Sequence, residues 1–503
     1  MVASRSGTIT RPAPAMLRRL LPHLPLVLLI GAYFAWFSDL SVQVYDAYAA
    51  PGYDMGIFDQ GVWLLSRFHA PFVTVMGRDL FGDHTSFVLL LAVPLYWIAP
   101  AAQTLLVLQT ALLAGAAVPV YLVARRRSGS ITVATVLAGA YLLDPALQQG
   151  NLEQFHPESF LVLFVAVALF AALEWHPRLL VAAAVGCLLV KEDTALLVVP
   201  LAIWVALRRD RELGLRLAAG AVAYAIFAYE VVIQSLLGTT SFYTGRLPFG
   251  GAWGLLSAPF VHAGRFFSYL AADNRPWYVW QMGAAYGWVF LVSPEVAAIG
   301  LATLAENVIS TFPYMHRIYY HYSLALVPVL AVGTAVAVGR LPRRAARWVA
   351  TAAVGTASVI SCVAWGLAPF SLETAFPDPG PSSPAVEAVN SLLREVPPHA
   401  VVSASWPIVA HLTHRRGAYQ WPTPFRATLW GLYRQEGQRL PAAATVGYLV
   451  IPRYRLGIDA EVFDSIARQF RLVGSAAGWA LYRRVAAQPA PPAALRYRYT
   501  SPT

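Results

Sequence analysis

Tyr53-Asp54-Met55-Gly56-Ile57-Phe58-Asp59-Gln60, and shortly after it Phe81-Gly82-Asp83-His84, separate the first long apolar run of the chain from the next. The stretch is too acidic and too aromatic for a plain connector, and carboxylates beside a bilayer need a reason to be there. Within Met55–Phe68, Ile57, Phe58, Val62, Trp63 and Leu65 alternate with Asp59, Gln60 and Arg67, which predicts a helix lying in the membrane interface. Phe87–Ala99 is apolar but short, interrupted by Pro94 and carrying the interfacial residues Tyr96 and Trp97. It reads as a second juxtamembrane helix. The outer loop therefore has the build of a site, and the rest of the chain is read by whether it supports one.

Of the 503 residues, 57% are hydrophobic and 13% charged, which excludes a soluble protein of this length. The net charge of +11 comes from arginines in short runs between apolar segments. Membrane topology under the positive-inside rule explains that pattern, and nucleic acid is not a partner. Cys187 and Cys362 both fall in apolar runs, so neither a disulfide framework nor a cysteine metal site is available. Arg18 and Arg19 precede apolar Leu20–Phe37, read as an uncleaved first span with its N-terminus in the cytoplasm.

Apolar runs predict eleven spans: Leu20–Phe37, Ala102–Ala124, Ile131–Leu143, Phe160–Leu173, Leu179–Val190, Thr194–Leu207, Leu215–Leu236, Tyr278–Val292, Val296–Ser310, Tyr319–Val338 and Trp348–Leu367. This count puts Arg125–Arg127, Arg178, Arg208, Arg209, Arg211, Arg340, Arg343, Arg344 and Arg347 inside. It leaves the Asp54 loop and the C-terminal region outside. A second outer segment, Gly238–Trp277, mixes aromatics such as Phe242, Tyr243 and Trp253 with Arg246 and Arg265, and reads as another interfacial helix pair. No internal repeat is evident.

After Leu367 the composition changes. The transmembrane module occupies 1–369 and a Pro- and Gly-rich linker 370–384. A small extracytoplasmic α/β domain occupies 385–490, and the tail 491–503 has a disordered composition. Ser383 and Pro384 start a helix running to about Val396. Apolar alternation predicts strands at Ala400–Trp406, Val446–Pro452 and Phe470–Arg483, the last a hairpin bracketed by Gly474 and Gly478.

Four outer loops each bring ionisable groups to one membrane face. They supply Asp54, Asp59, Asp83 and His84; Glu153, His156 and Glu158; Lys191, Glu192 and Asp193; and His316, Arg317 and His321. Lys191 is the only lysine among 37 basic residues, so a compact ammonium is kept where arginine serves everywhere else. Each group also has a purely structural use. Asp54 can cap its helix, Glu158 can oppose a helix dipole, and Lys191 can neutralise its two acidic neighbours. Asp83-His84 with Glu153 and His156 could ligate a divalent cation, Mg or Mn, although no HExxH-type spacing exists.

At Tyr53–Gln60, Phe81–His84, His156-Pro157-Glu158 and Lys191-Glu192-Asp193 the chain resembles a bacterial membrane protein family, domain of unknown function 2079, from about Leu20 to its end. That family is similar to the GT-C glycosyltransferases, such as the protein O-mannosyltransferases and the lipid A aminoarabinose transferase. The resemblance implies an all-α polytopic GT-C-like fold of about 11 transmembrane helices, with the C-terminal α/β domain outside the bacterial plasma membrane. It also implies a polyprenyl-phosphate-linked sugar as donor and an extracytoplasmic glycan, lipid or protein as acceptor. By position Asp54 is the expected base. Met55 stands where many relatives carry a second acid, so Asp59 is the fallback. Lys191, Arg317 and His84 are expected on the donor phosphate. Asp83, Glu153, His156, Glu158, Glu192, Asp193, His316 and His321 are expected around sugar and acceptor. A transporter or flippase would instead place charges at mid-bilayer, and an envelope scaffold would depend on the C-terminal domain alone.

Overall fold

A computed structural model describes residues 21–50, 52–237, 245–431 and 435–485. Arg18, Arg19, Phe242, Tyr243 and the tail 491–503 lie outside the described residues. The chain is mostly helical, with a small sheet near its C-terminal end.

Among the described residues, five helices are long and apolar enough to cross a membrane: Leu21–Asp46, Ala102–Ser128, Arg211–Leu236, His321–Arg340 and Arg344–Trp365. Ile131–Leu142 and Pro145–Leu152, bent by 44°, make a sixth if counted together. The bend falls where Asp144 caps the second helix by accepting from the Ala146 amide at 2.8 Å, with Pro145 in its first position. The other expected spans are shorter or broken. Glu158–Glu174, Pro177–Leu188 and Ala195–Arg208 have 17, 12 and 14 residues. The run expected as Tyr278–Val292 stops being helical at Ala284, because Gly287 and Trp288 both take positive φ. Pro294 then opens a separate short helix.

The basic runs meet at one end of this bundle. Arg126 and Arg127 both reach Glu174 at 3.0 Å, the Arg209 guanidinium donates to the Leu173 carbonyl, and Arg347 approaches the Ser128 carbonyl at 3.4 Å. The acidic loops lie at the opposite ends of the same helices. There the helix Gly52–Ser66 lies beside the Phe87–Leu91 and Val93–Ile98 turns. Trp97 Nε1 donates to the Ser66 carbonyl at 2.9 Å, and the Tyr96 hydroxyl donates to Asp59 at 2.6 Å. A two-stranded ribbon, β1 (Phe72–Val73) and β2 (Arg78–Asp79), connects them. Its Gly77 is held at φ +74 against the Trp430 ring, where a Cβ would come within 2.2 Å.

Ser383 caps the C-terminal helix Pro384–Arg394. The five-stranded sheet has the order β4-β3-β5-β7-β6, with β3 (Val402–Ala404), β4 (Ala418–Gln420), β5 (Tyr448–Pro452), β6 (Phe470–Ala476) and β7 (Trp479–Arg484). β3 pairs parallel with β4 and β5, while β7 runs antiparallel to β5 and β6. The hairpin turns on Ala477-Gly478, both at positive φ, and not across Gly474. Gly474 instead marks a register shift within β6. This domain packs on the Gly52–Ser66 helix. The missing side chain of Gly52 lets the Trp406 carbonyl oxygen come within 2.0 Å of where a Cβ would stand.

Candidate active site

Asp54 occupies the first turn of Gly52–Ser66, and a buried amide network sets its position. The Met55 amide donates to Gln154 Oε1 at 2.9 Å. Gln109, buried in the Ala102–Ser128 helix, accepts from the His156 amide at 2.8 Å and donates to the Gln154 carbonyl at 2.7 Å. One glutamine thus fixes the loop that faces Asp54.

From Asp54 the ionisable groups form a continuous chain of contacts. Asp54 Oδ2 lies 3.8 Å from His156 Nε2. The His156 ring stacks on His321 with centroids 3.8 Å apart. His321 Nδ1 is 3.1 Å from Glu153, and its Nε2 is 3.9 Å from Glu158. Lys191 Nζ bridges Glu158 at 3.5 Å and Asp193 at 3.2 Å. Six residues expected from sequence, on three different loops, therefore touch one another in series beside Asp54. Two further pairs stand apart: Arg78 with Asp83 at 2.7 Å, and His84 with Glu192 at 2.7 Å.

These contacts set the protonation states. Burial lowers the affinity of His156 for its proton, but Glu153 and Asp54 outweigh it, and the imidazole is pushed up to about 9. Burial raises Asp54, whereas its contact with His156 and the nearby His321 bring it below the usual carboxylate range. The Asp54 side chain is nonetheless 49% exposed, because it opens on a cavity. For Lys191, burial opposes the charge and Asp193 and Glu158 restore it, leaving the ammonium firmly protonated. The site at neutral pH therefore holds an ionised Asp54 beside an imidazolium.

Three cavities adjoin here. The first, of about 400 Å³, is lined by Tyr53, Asp54, Glu153, His321 and Trp406. The second, of about 460 Å³, has Glu192, Asp193 and Glu306 on one side and an apolar wall that includes Leu196, Ile233 and Leu255. A third, of about 40 Å³, contains Lys191 and Glu158. Arg246 lines all three, and Arg78 and Asp83 line the first two.

Several expectations need correction. Asp59 does not reach the cavities. It is 1% exposed and accepts from Tyr96, from the Thr413 hydroxyl and from His414 Nε2 at 3.0 Å. Arg317 is exposed and lines none of the cavities described, and His316 is buried away from them. His84 holds Glu192 in place and does not line the cavities described. The cation ligands expected at Asp83-His84 turn instead to Arg78 and Glu192. Glu153, His156 and His321 are the trio whose ligand atoms lie within 4.8 Å of one another. Nitrogen and oxygen donors of this kind suit a transition metal better than Mg, and a metal would first have to displace the His156 proton. Arg78 and Arg246 were missed as site residues. Their signal was available: both arginines stand apart from the basic runs that mark the other end of the bundle, and so need another reason.

The fold of this chain has a known counterpart. The crystal structure of ArnT from Cupriavidus metallidurans in the apo state superposes with a TM-score of 0.56 at 12% identity, covering 94% of this chain and 99% of that one. The fold is thus ArnT-like. The chain belongs to the family described as a predicted membrane protein, DUF2079, whose model matches residues 46–445. No curated protein matches.

Proposed function

We propose that this protein is an integral membrane glycosyltransferase that moves a sugar from a polyprenyl phosphate to an extracytoplasmic hydroxyl with inversion. If Glu158–Glu174, Pro177–Leu188, Ala195–Arg208, Arg275–Ala284 and Leu301–Ile309 cross beside the six longer spans while Phe87–Ile98 does not, the count is eleven and the cavities lie outside. The observation that carries the reading is an ionised Asp54 opening on a cavity that shares Arg78 and Arg246 with an apolar-walled neighbour.

The acceptor oxygen attacks the anomeric carbon as the bond from that carbon to the phosphate oxygen breaks. The phosphate leaves with the electron pair, and Asp54 takes the hydroxyl proton as the new bond forms. Negative charge grows on the departing oxygen, so preorganised cations lower the barrier more than an acid would. Arg78, Arg246 and Lys191 fill that role in place of Arg317. The apolar wall accommodates the polyprenyl chain. His156 orients Asp54, and Glu153, Glu158 and His321 meet sugar or acceptor hydroxyls. No step is assigned to a divalent cation, since the acids around His156 keep it protonated.

The test is transfer from polyprenyl-phosphate sugars labelled in the sugar, with protein in nanodiscs. Asp54→Asn loses about 10²–10⁴-fold in rate in protein that remains folded, its melting temperature lowered by the lost His156 contact. Full activity in a folded Asp54→Asn protein removes Asp54 from the reaction.

A further inference from the structure

The 400 Å³ cavity has one wall supplied by the C-terminal domain. Trp406 opens the short helix two residues after β3 and sits over the first turn of the Gly52–Ser66 helix, keeping 42% of its surface exposed while lining the cavity. The Tyr53 ring lies near it, with centroids 5.9 Å apart and planes 27° from parallel. The Tyr53 hydroxyl is tied to the Leu429 carbonyl at 3.0 Å, so that ring is fixed. Asp54 is the next residue along the chain. Around this aromatic surface stand Asp83, Glu153, Arg78 and Arg246.

A flat apolar surface ringed by carboxylates and guanidinium groups fits a ligand with one hydrocarbon face and a rim of hydroxyls. Pyranose rings have that form. Their axial C–H bonds present a positive edge to an indole face, and their hydroxyls donate to carboxylates. An acyl chain would displace water from these charged groups and offer no hydrogen bonds in return. The cavity volume lies within the range of small-ligand sites.

We infer that the acceptor is a saccharide, stacked on Trp406 with one hydroxyl directed at Asp54, and that the C-terminal domain thereby reads the acceptor. As a statement about transfer this rests on the proposed reaction; as a statement about binding it does not.

The experiment separates the two. Full-length protein in nanodiscs is titrated with soluble disaccharides of gluco, galacto and manno configuration, without donor. Binding is read by saturation-transfer NMR and indole fluorescence. At least one disaccharide binds, with saturation concentrated on ring C–H protons. Trp406→Ala weakens it about tenfold or more, equivalent to about 1.4 kcal/mol. Trp406→Phe, which keeps a ring, stays within about threefold and guards against misfolding of the alanine variant. Absence of binding by the whole panel overturns the inference. So does binding indifferent to Trp406, or displacement of every sugar by a peptide or a glycerophospholipid headgroup. Consumption of labelled polyprenyl-phosphate sugar is measured in parallel. Donor turnover without saccharide binding sinks only the inference, and saccharide binding without donor turnover sinks only the transferase reading.

Discussion

Asp59→Ala gives a change whose size can be worked from contacts. The carboxylate accepts from Tyr96 at 2.6 Å, from Thr413 and from His414 at 3.0 Å, joining two juxtamembrane helices to the C-terminal domain. Without it, the Thr413 hydroxyl still has the Ala410 carbonyl at 2.9 Å and loses little. The Tyr96 hydroxyl, on a residue 1% exposed, is stranded, at a cost of about 1–3 kcal/mol. His414 is 33% exposed at its side chain, so its lost pairing adds at most about 1 kcal/mol. The sum is about 1–4 kcal/mol against docking. At 1.4 kcal/mol per decade, local opening rises about 5- to 700-fold. Limited proteolysis across 370–384 reads this as a faster cleavage rate while reclosing outpaces cutting. Adding Tyr96→Phe removes the stranded hydroxyl and recovers a large part of the loss. Unchanged cleavage would refute the docking role. Lost transfer with unchanged cleavage would return Asp59 to the chemistry.

The pH profile follows from His156. Its rise from 6.5 to about 9 corresponds to about 3 kcal/mol of preference for the charged form, fully present below pH 6.5 and lost as pH rises through 9. Melting temperature and transfer rate in nanodiscs both fall along that limb; His156→Gln abolishes the limb and moves the acid limb of Asp54 upward, and an unshifted profile contradicts the pair. Arg246→Ala lowers transfer by about 10²-fold or more, whereas Arg317→Ala stays within about twofold, read as initial rates on one labelled donor. Equal losses in the two variants would restore Arg317 to the phosphate. Chelation with EDTA leaves the rate unchanged; a loss that Mn or Mg restores would give Glu153, His156 and His321 a cation and reverse the protonation assigned to His156.

Charge patterning carried much of the fold. Arg125–Arg127, Arg209 and Arg347 gather at one end of the bundle and the acidic loops at the other, as the arginine runs imply. The number of full-length crossings was less legible. Apolar run length is blind to a backbone reversal such as Gly287-Trp288, where the glycine admits positive φ but nothing marks the tryptophan after it as sharing it. In the C-terminal domain the parallel β4 was missed because Ala418–Gln420 is three residues long and carries no alternation. The β6–β7 hairpin was found, but its two glycines were given the same job when one turns the chain and the other shifts the register.

Around the cavity, the sequence offered four charged loops, and three of them meet in the contacts beside Asp54. It could not rank residues within each loop. Asp54 and Asp59 illustrate why. Five residues at 3.6 per turn lie about 140° apart around a helix, so two acids on one helix cannot both face one cavity. That argument needs only the spacing, and it divides their work: one acid opens on the cavity, and the other is turned toward Tyr96 and Thr413. Which face is which depends on partners more than 300 residues away, such as Thr413 and His414, and no local pattern contains them. The same helix thus bears the proposed base at one end and the domain anchor a turn and a half further on. Gly52 lies between Trp406 and Asp54 with no room for a methyl group. A shift of the C-terminal domain must therefore move the first turn of that helix, and the carboxylate with it, which is why the anchor and the cavity are parts of one mechanical unit.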